Sequence, residues 1–546
     1  MYNIYVSCEA FRIFKLIAEE TPENLIKSAE GARLKKAESL RQKDGADNKT
    51  MSVCQISGAA ILIVAIFIII FRRAFMEATL LPIIQKLNGF LADYILIILL
   101  IGTGLFFSIK TRFVQVRCFG EGMKRVFGGI KFHGGKDGEG LSSFQALATA
   151  IAAQVGTGNI VGASGAILVG GPGAIFWMWV IAFLGMATIY AEAVLAQETR
   201  IKDENGNIHG GPVYYIKKAF PNGFGTFLSV FFAIAITLAL GFMGSMVQSN
   251  SIAESCNTAF GIEGWVIGVI VAIVSAIIFI GGIKRIASVT EKLVPIMAVL
   301  FLLGGLVVLV LRIQYLPATI GMIFKFAFTP SALIGGGIGY ALKTAISQGA
   351  KRGLFSNEAG MGSTPHAHAM ADVKKPHDQG VVAMVGVFID TFVVLTMTAL
   401  VVISTLYVGN GPLAGLTGDA YVAATTGADA IISKTNAMQT AFSNVFSFWG
   451  NFGNIFVAVC LLFFAYSTII SWNFFGKVNV EYLTKNSKVA TVIYSVIAIA
   501  FIFLGSLLSN DLVWELTDFF NYLMVIPNVI ALIALYKIVV KSATNK

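Results

Sequence analysis

Charged residues are scarce in this sequence, since Asp, Glu, Lys and Arg make up 13% of its 546 residues while hydrophobic residues make up 56%. Ordinary soluble domains carry about a quarter charged residues, because their surfaces face water. A soluble protein this apolar could not cover its surface with polar groups. The composition therefore excludes a globular soluble protein and predicts a membrane protein. No hydrophilic stretch after about residue 50 is long enough to form a soluble domain.

Cysteine and histidine are also few. The five cysteines are scattered without a CxxC pair, so we interpret them as isolated thiols, with neither a disulfide framework nor a zinc site. His366 and His368 are close in sequence, but no acid or cysteine completes a ligand set, and the pattern favours an exposed loop. All five histidines are predicted to lie in cytoplasmic loops: His133, His209, His366, His368 and His377.

Long apolar runs fill most of the chain. A bilayer core about 30 Å thick needs roughly 20 apolar residues in a helix. This rule predicts an all-α polytopic membrane protein with eleven spanning segments, at approximately 93–109, 144–170, 173–196, 225–247, 262–282, 293–311, 331–350, 381–406, 451–474, 489–508 and 512–536. The segment 144–170 is long and rich in glycine, so we expect it to be broken.

The net charge of +10 is spread over short loops, which indicates membrane topology rather than nucleic-acid binding. Lys and Arg in alternate loops outnumber those on the other side by roughly eight to one, and the richer side is predicted to be cytoplasmic. The richer side includes Lys351 and Arg352 and places the C-terminus in the cytoplasm. The poorer side holds Arg312, Lys325 and Lys434.

The N-terminal extension, residues 1–75, contains a short apolar segment, 57–71, followed by Arg72 and Arg73. A spanning helix there would place both arginines outside, against the charge rule. A signal anchor, a cleaved segment and an over-long gene model are the alternatives. We expect this extension to carry none of the function.

Two segments are unusually polar and glycine-rich for their depth, 144–170 and 331–362, and they lie five spans apart. Five-plus-five helices with this odd displacement predict inverted repeats. The predicted organisation is the extension 1–75, an extra helix with its loop at 76–140, a first repeat at 141–312 and a second repeat at 331–540.

The run Gly156-Thr157-Gly158-Asn159 is a poor helix core. Every backbone polar group in hydrocarbon needs a partner, so an opening there requires a ligand. A half-helix that begins near Asn159 would direct its positive end at a carboxylate, and carbonyls near Ala152 and Val155 would suit a small hard cation. The alternative is close helix packing through small residues.

Adjacent hydroxyls occur at Ser467 and Thr468, inside an apolar span. Each can bond the carbonyl four residues earlier in its own helix. With freed carbonyls of another helix they could instead complete an oxygen cage for Na⁺. A third stretch, 339–363, predicts a helix interrupted at Thr344, Ser347, Gln348 and Gly349, followed by the polar element 352–360, to which composition assigns no chemistry.

Three charges lie within predicted spans. Asp390 is a functional candidate by its depth, but it can also simply pair with Lys343. Glu192 lies near the cytoplasmic end of its span, which favours a solvated or arginine-paired side chain. These charges offer no catalytic triad, which disfavours a membrane enzyme.

Several motifs together are specific. GTGNI, residues 166–192, GGPVYYI (210–216), RGLFSNEAG (352–360) and FIDT (388–391) resemble hallmark stretches of the alanine or glycine:cation symporter family. The similarity covers roughly residues 80–540. That family is similar in architecture to the leucine-transporter fold, whose inverted five-helix repeats match the arrangement above, here with one extra preceding helix.

The resemblance implies specific roles. Carbonyls of Ala152 and Val155 with hydroxyls of Ser467 and Thr468 would bind Na⁺. Main-chain groups of Gln154, Thr157 and Gly158 would hold the substrate, Gln248 would contact it, and Thr344, Ser347 and Gln348 would line a second break. Asn159 and Asp390 are candidates for coupling, and Phe448 and Trp449 for crowding the pocket.

The implied function is import of alanine or glycine with Na⁺ across the cell membrane, without a cofactor, protein partner or nucleic acid. The absence of histidine from the spans favours Na⁺ over H⁺. Symport with H⁺ and a passive channel are the alternatives, but a channel predicts a polar helix face rather than two local breaks.

Overall fold

The computed structural model describes residues 79–128, 141–203, 208–280, 282–330, 333, 338–426 and 430–544. These residues all belong to one unit, Phe75–Lys546. The apolar segment 57–71 and His133 lie outside the described residues, so predictions about them stay predictions.

The described chain is helical apart from one small hairpin, in which β1 (Ile201–Lys202) pairs antiparallel with β2 (Ile208–His209). The helices of the first half are α1 (Leu81–Lys110), α2 (Val114–Arg117), α3 (Phe119–Gly128), α4 (Ser143–Gln154), α5 (Gly158–Gly170), α6 (Ala174–Thr199), α7 (Pro212–Ala219), α8 (Gly223–Phe260), α9 (Gly264–Ile280), α10 (Gly282–Leu311) and α11 (Leu316–Phe328).

The second half contains α12 (Ile338–Asn357), α13 (Pro365–Ala369), α14 (Pro376–Leu406), α15 (Gly418–Thr425), α16 (Ala437–Val445), α17 (Phe452–Leu483), α18 (Lys488–Gly505), α19 (Asn510–Ala534) and α20 (Tyr536–Thr544). Within the described ranges, eight helices are long and apolar enough to cross a membrane, and the bent pair α4 and α5 makes a ninth. The predicted total of eleven spans and the inverted repeats remain predictions.

The break in the first polar segment is confirmed. Ser142 caps α4 in a capping box with Gln145. The helix ends at Gln154, and the φ of −82° and ψ of 83° at the next residue, Val155, are not helical. The chain resumes as α5, which begins with a π-helical turn and is bent by 46° from α4. The two glycines have poor helix propensity, which favours an opening at this point.

The second break is not where the sequence predicts it. Helix α12 runs without interruption from Ile338 to Asn357, through Thr344, Ser347, Gln348 and Gly349. The chain breaks after it, where Glu358, Gly360 and Gly362 adopt positive φ angles of 57°, 95° and 78° before α13 begins. Glycine adopts such angles without strain, and this turn therefore depends on the two glycines.

Helix α6 forms the centre of the molecule. Most of its 26 residues are buried, and it packs against α1, α12 and α14. A helix that is apolar all round is buried against protein or lipid on every side. The long helix α17 lies on the other side of the breaks, against α4, α8 and α10. The breaks of the first and second halves meet between these two supports.

Candidate functional site

The two breaks touch. A Cβ atom built on Gly158 would lie 3.0 Å from Phe355 Cδ1 and 3.2 Å from Ser356 Cα. The Gln154 side-chain amide donates to the Asn357 carbonyl at 2.7 Å, so the end of α4 is bonded to the end of α12. A backbone carbonyl at the end of one broken helix is therefore hydrogen-bonded by a residue at the end of the other.

Three of the predicted ion-binding groups lie together at the end of α4: the Ala152 carbonyl and the hydroxyls of Ser467 and Thr468. Thr468 Oγ1 lies 2.8 Å from the Ala152 carbonyl, and Ser467 Oγ lies 3.5 Å from the same carbonyl. Both hydroxyls also bond the Phe464 carbonyl of their own helix, at 3.1 and 2.8 Å. The bonds within α17 that sequence offered as the alternative are thus present, and the two hydroxyls also bridge α17 to the break. The Na⁺ cage stays a prediction.

Unsatisfied polar atoms cluster at the first break. Among the described residues, Gln154 Oε1, Thr157 Oγ1 and Gln248 Nε2 are buried without a hydrogen-bond partner. Gln248 nevertheless reaches the break, because its Oε1 accepts from the Thr157 amide at 3.1 Å. A buried polar atom without a partner costs about 1–3 kcal/mol, so these three atoms are candidates to contact a polar ligand.

Asp390 joins both breaks. Its carboxylate accepts from Asn159 Nδ2 at 2.6 Å, from Ser356 Oγ at 2.9 Å and from Thr391 Oγ1 at 2.8 Å. Asn159 Oδ1 in turn accepts from the Gly156 amide at 3.1 Å. The predicted pair with Lys343 is wrong, because Lys343 instead bonds Asp93 at 2.9 Å. The depth of Asp390 and Lys343 in their predicted spans did not reveal which side chains lie beside them.

The other predicted members of the site lie elsewhere. Thr344 donates to the Tyr340 carbonyl and Ser347 to Asp93, both on a regular part of α12. Gln348 packs its Cβ near Gly170, roughly two and a half turns before the break. Phe448 and Trp449 are 67% and 60% exposed, so they do not crowd this pocket.

Three aromatic rings lie at the junction of the two breaks, near the polar element 352–360, for which the sequence predicted no role. The Phe355 ring centroid lies 5.7 Å from that of Trp472 and 4.6 Å from that of Trp514. Trp472 Nε1 donates to Glu358 at 2.6 Å, which fixes the indole. The polar element 352–360 was visible in the sequence, but its role depends on these contacts.

A buried ion pair flanks the aromatic cluster. Arg352 bonds Asp518 of α19 at 2.8 Å, with 14% and 3% of the two side chains exposed. The Arg352 guanidinium and Lys434 Nζ lie 4.7 and 5.6 Å from the Trp514 ring centroid. Arg352 was predicted to lie in a cytoplasmic loop, which is wrong, because it lies within α12. Lys351, also inside α12, lies 3.9 Å from Asp93.

Glu192 is fully buried, which contradicts the solvated or arginine-paired side chain predicted from sequence. Its carboxylate accepts from the Gly360 and Gly362 amides at 3.1 and 2.9 Å and from Asn528 Nδ2 at 2.7 Å. These bonds hold the second break, because they satisfy amides released by the turn.

The histidines after the second break are buried, so the exposed-loop prediction is wrong for them. His366 bonds Asn479 at 2.8 Å and stacks between Phe232 and Phe475. Burial lowers the pKa of His366 to about 4 and that of His368 to about 3. Both are therefore neutral near pH 7.

Cys118, Glu121 and His377 form a cluster with ligand atoms within 4.8 Å of one another. Glu121 contacts Arg125 at 3.1 Å and His377 at 3.4 Å. Burial would raise the pKa of Glu121, but hydrogen bonds from Arg125 and His377 outweigh it and lower that pKa. Because Arg125 already neutralises this carboxylate, the cluster ties α3 to α14 as an ion-pair network.

Comparison with solved structures agrees with this architecture. The chain is similar to MhsT in complex with L-phenylalanine, with a TM-score of 0.50 over 73% of this chain and 94% of that chain, at 14% identity. The fold is therefore leucine-transporter-like.

A family model described as the sodium:alanine symporter family matches residues 76–545, and the chain belongs to that family. The sodium/alanine symporter AgcS of Methanococcus maripaludis is 40% identical over 84% of this chain and 95% of the relative. The putative sodium/proton-dependent alanine carrier protein YrbD of Bacillus subtilis is 40% identical over 83% of this chain and 90% of its own. The probable sodium/glutamine symporter GlnT of Bacillus subtilis is 37% identical over 85% and 90%.

Proposed function

We propose that this protein imports a small neutral amino acid, alanine or glycine, across the cell membrane together with Na⁺. The observation that carries the proposal is the first break, where unsatisfied polar atoms of Gln154, Thr157 and Gln248 lie beside a carbonyl–hydroxyl cluster. An amino acid offers both a carboxylate and an ammonium group, which match donors and acceptors without any charged partner.

Na⁺ would bind between the Ala152 and Val155 carbonyls and the hydroxyls of Ser467 and Thr468. Neutral oxygens suit a weakly charged hard cation, and binding would order the end of α4. The substrate would then meet an ordered break, with Gln154, Thr157, Gly158 and Gln248 around it. Bound Na⁺ would thus order the same backbone that the substrate needs to find ordered, and this shared requirement couples Na⁺ binding to substrate binding.

Substrate size follows from the aromatic rings. Phe355 lies next to Gly158 and packs against both Trp472 and Trp514, and the Trp472 indole is fixed by Glu358. Rigid rings restrict the room for a substrate side chain, because enlarging the pocket would break these contacts. The proposal therefore favours alanine and glycine over glutamine as substrates.

The Arg352–Asp518 pair would act as a gate beside Trp514 and Lys434, and Lys434 is on the side that the charge pattern predicts to be external. The pair bridges α12 and α19 beside the aromatic cluster, and substrate entering from that side would pass it. The fold binds its ligand at the meeting point of the broken helices, and alternating access moves one repeat against the other around that point. Thr344, Ser347 and Gln348 have no part in this proposal.

A second candidate is coupling to H⁺. Asp390 is fully buried and bonds only neutral groups of Asn159, Ser356 and Thr391 among the described residues. An uncompensated carboxylate at membrane depth is costly and often serves proton or ion transfer. On this mechanism uptake follows a pH gradient and depends on Asp390.

The test is uptake of labelled alanine, glycine and glutamine into proteoliposomes under an inward Na⁺ gradient, an inward H⁺ gradient or neither. The double variant Ser467→Ala/Thr468→Ala should lose Na⁺-driven accumulation. Ser404→Ala/Thr405→Ala is the matched control, because these adjacent buried hydroxyls bond only the Val401 and Val402 carbonyls of their own helix.

Concentrative, Na⁺-dependent uptake of alanine or glycine that is lost in the first double variant and kept in the second would support the proposal. Accumulation driven by H⁺ alone and lost in Asp390→Asn would replace it with the second candidate. Equal loss in both double variants would reject the Na⁺ site at Ser467 and Thr468.

A further inference from the structure

The extra helix α1 carries a carboxylate within its apolar length. Asp93 lies in a π-helical turn, Leu91–Leu96, roughly 20 Å along the helix from Leu81. A π turn inserts an additional residue and locally widens the helix, and such turns occur often at functional sites. A carboxylate at this depth is expensive unless it has partners.

Asp93 bonds one stripe of α12. It contacts Lys343 at 2.9 Å and Ser347 at 2.5 Å, and it lies 3.9 Å from Lys351. These three residues of α12 are spaced four apart, so they follow one another along a single helix face. Lys343 also lies over the Tyr94 ring at 4.6 Å. One residue beyond Lys351 is Arg352, the gate arginine.

Helix α1 also contacts α19 through a side chain. Asn88 of α1 donates to the Glu515 carbonyl at 2.7 Å and to the Glu515 carboxylate at 2.6 Å. Glu515 lies three residues before Asp518, on the same face of α19. Helix α1 therefore holds both helices that form the Arg352–Asp518 pair, through one anchor on each.

We propose that α1 positions this gate, with Asp93 setting α12 and Asn88 setting α19 so that Arg352 and Asp518 meet. Neither anchor contacts the aromatic cluster or the first break. They are positioning residues that act through Arg352 and Asp518. The inference rests on the proposed function only in taking the substrate to enter past this pair.

A structural alternative is that Asp93 only neutralises Lys343 and Lys351 within the membrane. That role predicts lower stability for a variant but no change in the opening of the gate. A positioning role predicts that loss of the anchor increases the open population. Since substrate is retained only behind a closed gate, apparent affinity falls in proportion to the closed fraction.

The experiment measures gate opening directly. Gly162→Cys places a thiol beside the gate, since a Cβ there would lie 3.5 Å from Trp514 and 3.8 Å from Arg352. In a background with its five cysteines replaced by alanine, reaction of this thiol with a membrane-impermeant reagent reports opening. The readout does not depend on which amino acid is carried, so it is independent of failure of the proposed function.

We expect Asp93→Asn to raise the labelling rate about tenfold and to raise the alanine KM as the closed fraction falls, with the maximal rate changed less than about twofold. Asn88→Leu should change both in the same direction, and it keeps the test valid if Asp93→Asn does not fold. Asp93→Glu should restore wild-type labelling. Glu263→Gln, at an exposed acid outside the network, is the control and should leave both values unchanged.

Folded Asp93→Asn and Asn88→Leu variants with wild-type labelling and KM would overturn the inference. So would a lower melting temperature without any change in labelling, because that is the behaviour of a purely structural pair.

Discussion

A methyl group added at Gly156 would enter the space between the candidate ion and substrate sites. The Cβ would lie well inside van der Waals contact of Thr468 Oγ1, and 3.2 Å from both Gln248 Oε1 and Thr468 Cβ. Gly156→Ala therefore pushes apart the two side chains that reach the first break from α17 and α8. The φ angle of Gly156 is not in the left-handed region, so the effect comes from space and not from backbone strain.

The magnitude follows from the crowding. Ordinary carbon contacts are about 3.5–4.0 Å, so Thr468 must retreat by on the order of 1 Å. Overpacking of a buried site typically costs about 1–3 kcal/mol. If about 2 kcal/mol of this cost destabilises the Na⁺-bound state relative to the Na⁺-free state, the Na⁺ concentration for half-maximal uptake rises about 30-fold.

The assay is alanine uptake into proteoliposomes as a function of external Na⁺, with the thermal stability of each variant measured in detergent. Gly162→Ala is the matched control on the other side of the break. Its Cβ would meet Trp514 at 3.5 Å, an ordinary contact, so its Na⁺ dependence should stay within about twofold of wild type.

A Gly156→Ala protein with the Na⁺ dependence of wild type would refute the reasoning, because Thr468 would then not lie beside the ion. Equal shifts in Gly156→Ala and Gly162→Ala would refute it as well, since they would reflect a general sensitivity of α4 and α5 to any added methyl group.

Three further predictions concern other parts of the chain. Asp390→Asn should lower concentrative uptake by about tenfold or more without lowering the melting temperature, because a buried charge without a basic partner is itself costly; wild-type accumulation would contradict this. Burial lowers the histidine pKa values in the folded protein, so the unfolded chain binds protons more readily between pH 6.5 and about 4. The free energy of unfolding therefore has its full value above about pH 6.5. It falls as the pH drops through this window, by up to about 3 kcal/mol for His366. Melting temperatures in detergent at pH 7.5 and 5 should therefore differ less in the His366→Gln/His368→Gln double variant than in wild type, and an equal difference would exclude these histidines. Gly173→Ala should prevent normal folding, because its Cβ would overlap the Phe326 and Ala327 backbone, and size-exclusion profiles like those of wild type would contradict the packing.

The first break was predictable because its signal is local. Hydrocarbon forces every span to be helical, so a run such as Gly156 to Asn159 stands out against its surroundings. The family motifs carry the same kind of information, and the family was confirmed. Most of the long apolar helices overlap segments that apolar length predicted, although α1 begins at Leu81, before the predicted 93–109.

The second break was misplaced because glycine has two uses in membrane helices. A Cβ on Gly349 would lie 2.6 Å from Trp177 Cβ and 3.0 Å from the Ala174 carbonyl, so this glycine permits α6 and α12 to pack closely. The break itself needs positive φ angles at Gly360 and Gly362 and amide acceptors from Glu192. Sequence alone does not separate close packing from an opening.

By itself, the sequence determined the membrane class, most spans, the first break and the family, because each depends on composition or on short contiguous motifs. Only the tertiary structure decided the partners of charged and polar side chains. Asp390 lies beside Asn159 and Ser356, Arg352 beside Asp518, and Asp93 beside Lys343, across separations of tens to hundreds of residues. A charge in a span needs charged or polar partners, but which partners it meets depends on how the helices pack.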